Sequence, residues 1–525
     1  MKLRKIISLC LVGAMTASLL TACGTGVSEE DNTDNAGGVS VSENAESVKK
    51  FDELQTIEGY GMSFYGDAGF AEVQDAINEI TVDAINVEFH YHPMDVATYM
   101  EQVGLMLSGG EAFDLVMCTA IPVVSFSTMQ SQNQLLDITD YLDEYAPELV
   151  QIVGDYIDAT TVDEKIYGVP NYKMYNSNYY IFMRKDVLDY LNLTEKARSC
   201  ESWTQVEEIL YAVKDAQETL PAELQTNAII CNSDAQGCVI SDCGWNSAPD
   251  KFSEGVGMEI LANSTKLIYV DENNKVQNYF ATDDYKTTVE RVHKWYQDGL
   301  VYKDSATSDK TGDTLMSNGI TFAYITQAEL GAEEAKTVTT GHEVVAVEYG
   351  QIPVQSYNVN AWAWAVPVTS ENPEAAVAFL NEMYTNPDIE NLLVYGIEGR
   401  DYELNDEGEA VRSAELEYQC EDFLFGNQFN AYPAAGNGSD FRDRAMKSMQ
   451  EAVVSPYYGC VVDTDPIANE LTALSNVLAK YEPGLESGSA DMATLDAMLS
   501  ELESSGLQVV LDHYQQTLDA WLANQ

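Results

Sequence analysis

From Phe51 to Thr119 apolar strand-like runs alternate with helical spacing, and this rhythm limits the chain to a small set of architectures. Tyr60 to Tyr65 reads as a short strand ending in Gly66-Asp67, and Ala71 to Ile80 repeats apolar residues at helical intervals. Ala84 to His90 reads as a second strand, Asp95 to Leu107 as a second helix and Phe113 to Thr119 as a third strand, with Ser108-Gly109-Gly110 breaking the helix before it. A β-α-β-α-β order of this kind belongs to a doubly wound α/β sheet, whose ligands gather at the carboxyl ends of the strands. The segments after Tyr65 and after Cys118 are therefore expected to line a crevice.

The N-terminus sets where such a fold works. Lys2, Arg4 and Lys5 precede an apolar stretch from Ile6 to Leu20, the layout of an export signal. Leu20-Thr21-Ala22-Cys23 resembles the lipobox of bacterial lipoproteins. That resemblance implies removal of residues 1–22 and a diacylglyceryl group, with palmitate, on Cys23, which anchors the protein without a membrane span. Residues 23–50 then read as the lipidated cysteine and a tether. Gly24 to Lys50 lacks aromatic residues and cannot bury enough apolar surface to offset its ordering entropy. As a flexible chain it reaches about 30 Å.

Beyond the tether no apolar run approaches the length of a membrane span, and the remainder is long enough for two or three domains with large cores. Asp and Glu number 85 against 27 Lys and Arg, a formal charge of −58. Such a surface repels nucleic acid and anionic lipid. Cys118, Cys200, Cys231, Cys238, Cys243, Cys420 and Cys460 are odd in number and form no C-x-x-C, so one disulfide among Cys231, Cys238 and Cys243, or free thiols, is expected rather than a metal site. His90 and His92 fall on one face of the second strand and read as a partly exposed strand end rather than a metal pair. Neither a cofactor motif nor a G-x-S-x-G, H-E-x-x-H or P-loop signature occurs.

A set of short motifs then appears in a fixed order. It comprises Gly110-Glu111-x-Phe113-Asp114, Leu136-Asp137-Ile138-Thr139, Tyr145-Ala146-Pro147, Ile166 to Asn171, Met183 to Leu188, Ser202-Trp203-Thr204, Trp295 to Asp304, Asn391 to Tyr402, and Phe425 to Phe429. Together they resemble the extracellular solute-binding lipoproteins of bacterial ABC importers, family 1, in its long carbohydrate-associated branch. The resemblance implies a two-lobed, type II periplasmic-binding-protein-like α/β fold with hinge crossovers and extra C-terminal helices. On that pattern 51–171 plus 358–398 form lobe 1, and 172–357 plus 399–525 form lobe 2. The chain crosses near Tyr172 to Tyr175, returns near Tyr357 to Ala361, and crosses again near Gly396 to Asp401, where Gly396 and Gly399 absorb backbone rotation. The implied partners are a ligand and a membrane-embedded ABC permease, and the implied state is a monomer.

Saccharides offer apolar C–H faces and many hydroxyls, so their sites need flat aromatic platforms with amides and carboxylates beside them. The chain has 31 tyrosines, and Asn171 to Tyr180 sets several beside amides, making Asn171, Tyr172 and Tyr175 candidates together with Tyr65 after the first strand. Trp362 and Trp364 alternate with alanines and share a strand face, which suits either core or platform, and their place beside a crossover favours the platform. Trp245 sits in a loop and is a second platform candidate, whereas Trp203, Trp295 and Trp521 sit in helical patterns. Asp67, Thr119, Asn232, Gln327, Glu398, Arg400 and Asn427 follow strand ends or crossovers and are the polar candidates. Arg400 can pair with Glu398 or Asp401 as a hinge salt bridge or grip a uronic carboxylate, and in so acidic a chain the salt bridge is favoured. The expectation is a lipid-anchored, non-enzymatic receptor for a saccharide, in particular an oligosaccharide. A peptide-binding lipoprotein, a surface glycan-binding protein and a glycosidase are the alternatives.

Overall fold

The computed structural model describes residues 50–525 except 234–237, 241–249, 253–258 and 262–265. Cys23 with the signal and tether, and Trp245 with Cys243, lie outside the described residues. Everything described falls in one compact unit, Ser47–Gln525.

The first lobe opens with β1 (Gln55–Met62), α1 (Phe70–Ile85), β2 (Val87–Met94), α2 (Val96–Gly109), β3 (Leu115–Cys118) and the short β4 (Val169–Pro170). The alternation expected from the sequence is present, with shifted boundaries. Ala84 and Ile85 belong to α1, because Phe70, Val73, Ile77, Thr81 and Ile85 recur at helical spacing on its buried face. Asn86, in the left-handed region at φ 61°, closes the helix by donating its N–H to the carbonyls of Thr81 and Val82. β1 ends at Met62, and Ser63 to Asp67 form the turn that follows it.

The chain then builds a second sheet from β5 (Asn178–Arg184), β6 (Ala228–Ile230), β7 (Thr321–Ala328) and β8 (Val344–Gln351), flanked by α3 (Trp203–Ala216), α4 (Asp283–Gln297) and α5 (Ala332–Thr340). It returns with β9 (Ala363–Ala365), α6 (Pro373–Thr385) and α7 (Pro387–Tyr395), and closes with α8 (Phe441–Gln450), α9 (Ala468–Glu486), α10 (Met492–Ser504) and α11 (Leu507–Ala523). The first sheet runs β2-β1-β3-β9-β4, parallel through β1, β2 and β3, with β9 antiparallel to its neighbours. The second runs β8-β5-β7-β6.

Each sheet has its own core. Phe89, Trp364 and Phe379 lie in the first and Trp203, Trp295 and Tyr349 in the second, while Tyr285, Val477, Leu495 and Tyr514 centre a third, where α9, α10 and α11 pack against α4. Residues 399–425 do not join the second lobe as expected. Asp401 is fully buried and accepts from the Ile397 N–H and from Arg400, whose guanidinium also reaches the Gly69 carbonyl on the first lobe at 3.0 Å. Tyr418, Leu424 and Phe425 continue into the first core. The turn at Gly396 to Asp401 is thus pinned to lobe 1, while Asn437 and Phe441, the latter at the start of α8, lie beside Gly331 of the second lobe.

Candidate ligand site between the lobes

The crossing from β4 to β5 forms a floor. Tyr172 donates its N–H to the Gly426 carbonyl (2.8 Å) and accepts from the Gln428 N–H (2.9 Å), and Met174 donates to the Gln428 side chain (2.9 Å). These bonds hold the segment from Asp422 to Tyr432 against the crossing. Above this floor lies a hollow of about 460 Å³. The second lobe contributes Gln327, Glu329 and Lys336, the first contributes Tyr395, Asp422, Phe423 and Phe429, and α8 adds Arg442.

Its electrostatics are set by burial. Burial pushes the Glu329 carboxyl up to about 7, against the pull of Lys173 and with the push of Asp422. Burial also lowers the Lys173 ammonium, while Glu329 and Asp422 favour its charged form. Lys173 Nζ lies 5.3 Å from the centre of the Tyr175 ring and 5.9 Å from that of Phe423, within reach of cation–π attraction. Lys336 pairs with Asp313 at 2.7 Å.

Beside the hollow stands an aromatic shelf. Trp362 is half-buried and packs on Phe423, ring centres 5.1 Å apart, while the exposed Phe64 sits 6.5 Å from Trp362 and 6.2 Å from Phe423. The exposed Tyr65 donates its hydroxyl to Glu421, and its pKa is pushed up to about 12 by burial and by that bond. Gln327 lines the hollow directly, and Tyr172 packs on Phe429 at 5.2 Å.

The remaining expected residues are placed differently. Trp364 is 1% exposed, stacks on Phe425 and donates its indole N–H to the Leu424 carbonyl (3.2 Å), so it is core. Asn171, Asn232 and Asn427 are buried with their amides committed to the carbonyls of Phe423, Lys310 and Tyr384. The Tyr175 hydroxyl is committed to the Asn171 carbonyl. Thr119 is 1% exposed, and its hydroxyl accepts from the Ile121 N–H (3.0 Å). Arg400 is the salt bridge, 2.7 Å from Asp401 and 3.5 Å from Glu72. Glu398 is exposed in the same pinned turn, and Asp67 is exposed in the turn capping α1, so neither reaches the hollow. His90 and His92 both contact Glu58, at 3.0 and 2.7 Å, as a partly exposed strand pair. Glu329, Lys173, Phe423, Phe429 and Arg442 were not anticipated as site residues. For Phe423 and Phe429 the signal is the density of aromatic and charged residues in Glu421 to Phe429; Glu329, Lys173 and Arg442 carry none.

Other hollows are present among the described residues. One of about 780 Å³ runs between Thr119, Thr128 and Asn360 on one side and Thr472, Ser475 and Asn476 of α9 on the other. Another, of about 910 Å³, is lined by Glu259, Asp271 and Tyr457 with no residue of the first lobe, so lobe closure would not enclose a ligand there. Among the described residues no helix is long and apolar enough to cross a membrane, and no cluster of three or more His, Cys, Asp or Glu side chains is arranged to hold a metal.

Comparison with known proteins agrees with this architecture. Residues 456–523, the C-terminal helices, match a domain of unknown function, DUF3502. A carbohydrate ABC transporter substrate-binding protein of Streptococcus pneumoniae serotype 4 (strain ATCC BAA-334 / TIGR4) is 22% identical over 465 residues, covering 85% of this chain and 87% of that relative. The crystal structure of the N-glycan transport solute binding protein of S. pneumoniae superimposes with a TM-score of 0.76 at 18% identity, covering 90% of this chain and 99% of that one. The S. pneumoniae ABC-transporter substrate binding protein FusA, in complex with kestose, gives 0.64 at 16% identity, covering 90% and 100%. Residues 75–395, from α1 through both sheets to the end of α7, match the bacterial extracellular solute-binding proteins, and the chain belongs to that family.

Proposed function

We propose that this protein captures a saccharide, in particular an oligosaccharide, between its lobes and delivers it to the permease of an ABC importer. It acts as a monomer held at the outer face of the membrane by a lipid on Cys23, once residues 1–22 are removed. The observation that carries the reading is the interlobe hollow. It joins the rings of Phe423, Phe429 and Tyr395 to the amide of Gln327 and the carboxyls of Glu329 and Asp422, with Trp362 and Phe64 on the adjoining shelf. Rings cover sugar C–H faces, and the polar groups exchange hydrogen bonds with hydroxyls. At about 460 Å³ the hollow falls within the span of small-ligand pockets. The carbohydrate transporter relative and the kestose-bound neighbour support the same ligand class.

The mechanism is closure without bond chemistry. Gln327 and Glu329 move with the second lobe and Asp422 and Phe423 with the first, so a ligand touching both sets binds the closed state more tightly and shifts the population toward it. The test is a thermal-shift panel of glycans and short peptides on the purified protein, followed by recovery of the ligand. A saccharide at a hundred times Kd is expected to add about 2.7 kcal/mol of apparent stability and to be recovered intact. Stabilisation by peptides alone, or steady turnover of the saccharide, would overturn the reading.

A further inference from the structure

The arginines of this acidic chain find partners almost everywhere. Arg184 pairs with Asp186, Arg198 with Glu333, Arg291 with Glu207, Arg400 with Asp401 and Arg444 with Asp440, while Arg412 donates to the carbonyls of Val394 and Cys420. Arg442 is different. It lines the interlobe hollow, and its Nε is buried with no hydrogen-bond partner. Among the described residues its guanidinium makes no hydrogen bond and has no carboxylate within 4.0 Å. A desolvated charged donor left without an acceptor is costly and rare in native structures. In a chain with 85 acids against 27 bases, an arginine lacking a carboxylate in a half-enclosed hollow marks a place kept open for another anion.

The hollow's own groups do not supply that anion. Asp422 accepts from the Gln428 amide (2.8 Å). Glu329 lies on the second lobe, where Lys173 is its principal electrostatic partner. Glu390, packed beneath in α7, is fully buried and accepts the Asn427 N–H (3.2 Å), and burial drives its carboxyl toward the neutral form. Lys173 adds a second cation without an ion pair among the described residues, its ammonium donating to the Met174 carbonyl at 3.2 Å. The far-reaching repulsion of the acidic surface is screened over roughly 8 Å at physiological salt, so local cations can still select a charged ligand.

We infer that Arg442 grips an anionic substituent of the saccharide, a carboxylate or sulfate held by the planar guanidinium fork, so that the hollow selects acidic over neutral glycans. This inference rests on the saccharide reading and adds its charge class. A carboxylate bound side-on to a guanidinium forms two charge-assisted hydrogen bonds, which a neutral hydroxymethyl group cannot replace. The unpaired Nε would then be lost as a specificity element in any variant that keeps charge without the fork.

The test is calorimetry on the full chain with matched pairs: trigalacturonate against its carboxyl-reduced counterpart, and sialyllactose against lactose. At least one acidic member is expected to bind about tenfold or more tightly than its neutral partner, equivalent to about 1.4 kcal/mol, and to weaken as salt is raised. Arg442→Gln should bring the ratio of acidic to neutral affinity down to about one, by a larger loss for the acidic ligand than for the neutral one, and Arg442→Lys should recover only part of the preference. Glu390→Gln is expected to leave the preference intact. Equal binding of acidic and neutral partners by the wild type overturns the inference, as does a uniform loss for both ligands in Arg442→Gln, or loss of the preference in Glu390→Gln. If none of these saccharides binds while peptides do, the saccharide reading itself falls and this inference with it. Binding of neutral glycans alone removes only the charge class.

Discussion

Trp362 and Trp364 are expected on one strand face, but β9 begins only at Ala363, so Trp364 lies inside the strand and Trp362 in the bend before it, and the structure assigns them opposite fates. Trp364 is 1% exposed, its ring 5.8 Å from Phe425 and 6.0 Å from Tyr91, with its indole N–H on the Leu424 carbonyl. Trp364→Ala removes the largest side chain of the first core and leaves that carbonyl without its donor. The expected cost is about 3–5 kcal/mol, a large part of the roughly 5–15 kcal/mol that holds a domain folded. Trp364→Phe keeps most of the ring and loses the hydrogen bond, so it should cost about 1–3 kcal/mol. Trp362→Ala opens a half-buried shelf instead. It should leave the urea midpoint close to wild type and weaken saccharide binding by roughly 1–3 kcal/mol. The assay is urea unfolding with the slope monitored, paired with calorimetric affinity on the same variants. Unfolding of Trp364→Ala within about 1 kcal/mol of wild type, or a Trp362→Ala variant that loses stability and keeps its affinity, would refute the assignment of core and shelf.

Further outcomes are expected elsewhere. The folded Glu329 carboxyl holds its proton up to about pH 7 and the unfolded one releases it near 4.5, so the folded state binds more protons between these values and stability falls as pH rises through that window. The loss is about 3–4 kcal/mol at roughly 1.4 kcal/mol per unit; urea unfolding at both ends of the window should show it in wild type and show it reduced in Glu329→Gln. Asp401→Ala should cost roughly 3–5 kcal/mol, because it strands Arg400 and the N–H groups of Ile397, Glu417 and Tyr418; thermal unfolding measures it. Cys23→Ser should move the protein from membranes to the soluble fraction with affinity unchanged, as read by fractionation and calorimetry; persistence on membranes would refute the lipid anchor.

How far the sequence foretells the structure differs between fold and site. The β1-α1-β2-α2-β3 order follows from periodicity because each element hides one face in the first core. The junction at Asn86 did not, since a helix that ends on a left-handed asparagine leaves no break in the apolar pattern. Site residues were harder to read. Thr119, Asn171, Asn232 and Asn427 sit where strand ends meet crossovers, as a ligand site demands, but buried backbone groups there need partners, and these side chains supply them. Whether an amide is committed to its own fold or turned to a ligand depends on contacts hundreds of residues away, as between Asn171 and Phe423. The same distance hid Glu329 and Arg442, which line one hollow because α8 returns to the β7 end of the second lobe. Arg400 was the exception. Its neighbours Glu398 and Asp401 made a salt bridge the favoured reading, and Asp401 is the partner.

The most direct test of the account is a crystal structure of the protein with a saccharide that stabilises it. Capture between the lobes predicts sugar density in the hollow between Gln327 to Lys336 and Asp422 to Arg442, with a ring against Phe423 or the Trp362 shelf and contacts to both lobes. Density confined to one lobe, to the hollow beside Thr119, or to the acidic flank near Asp271 would contradict it.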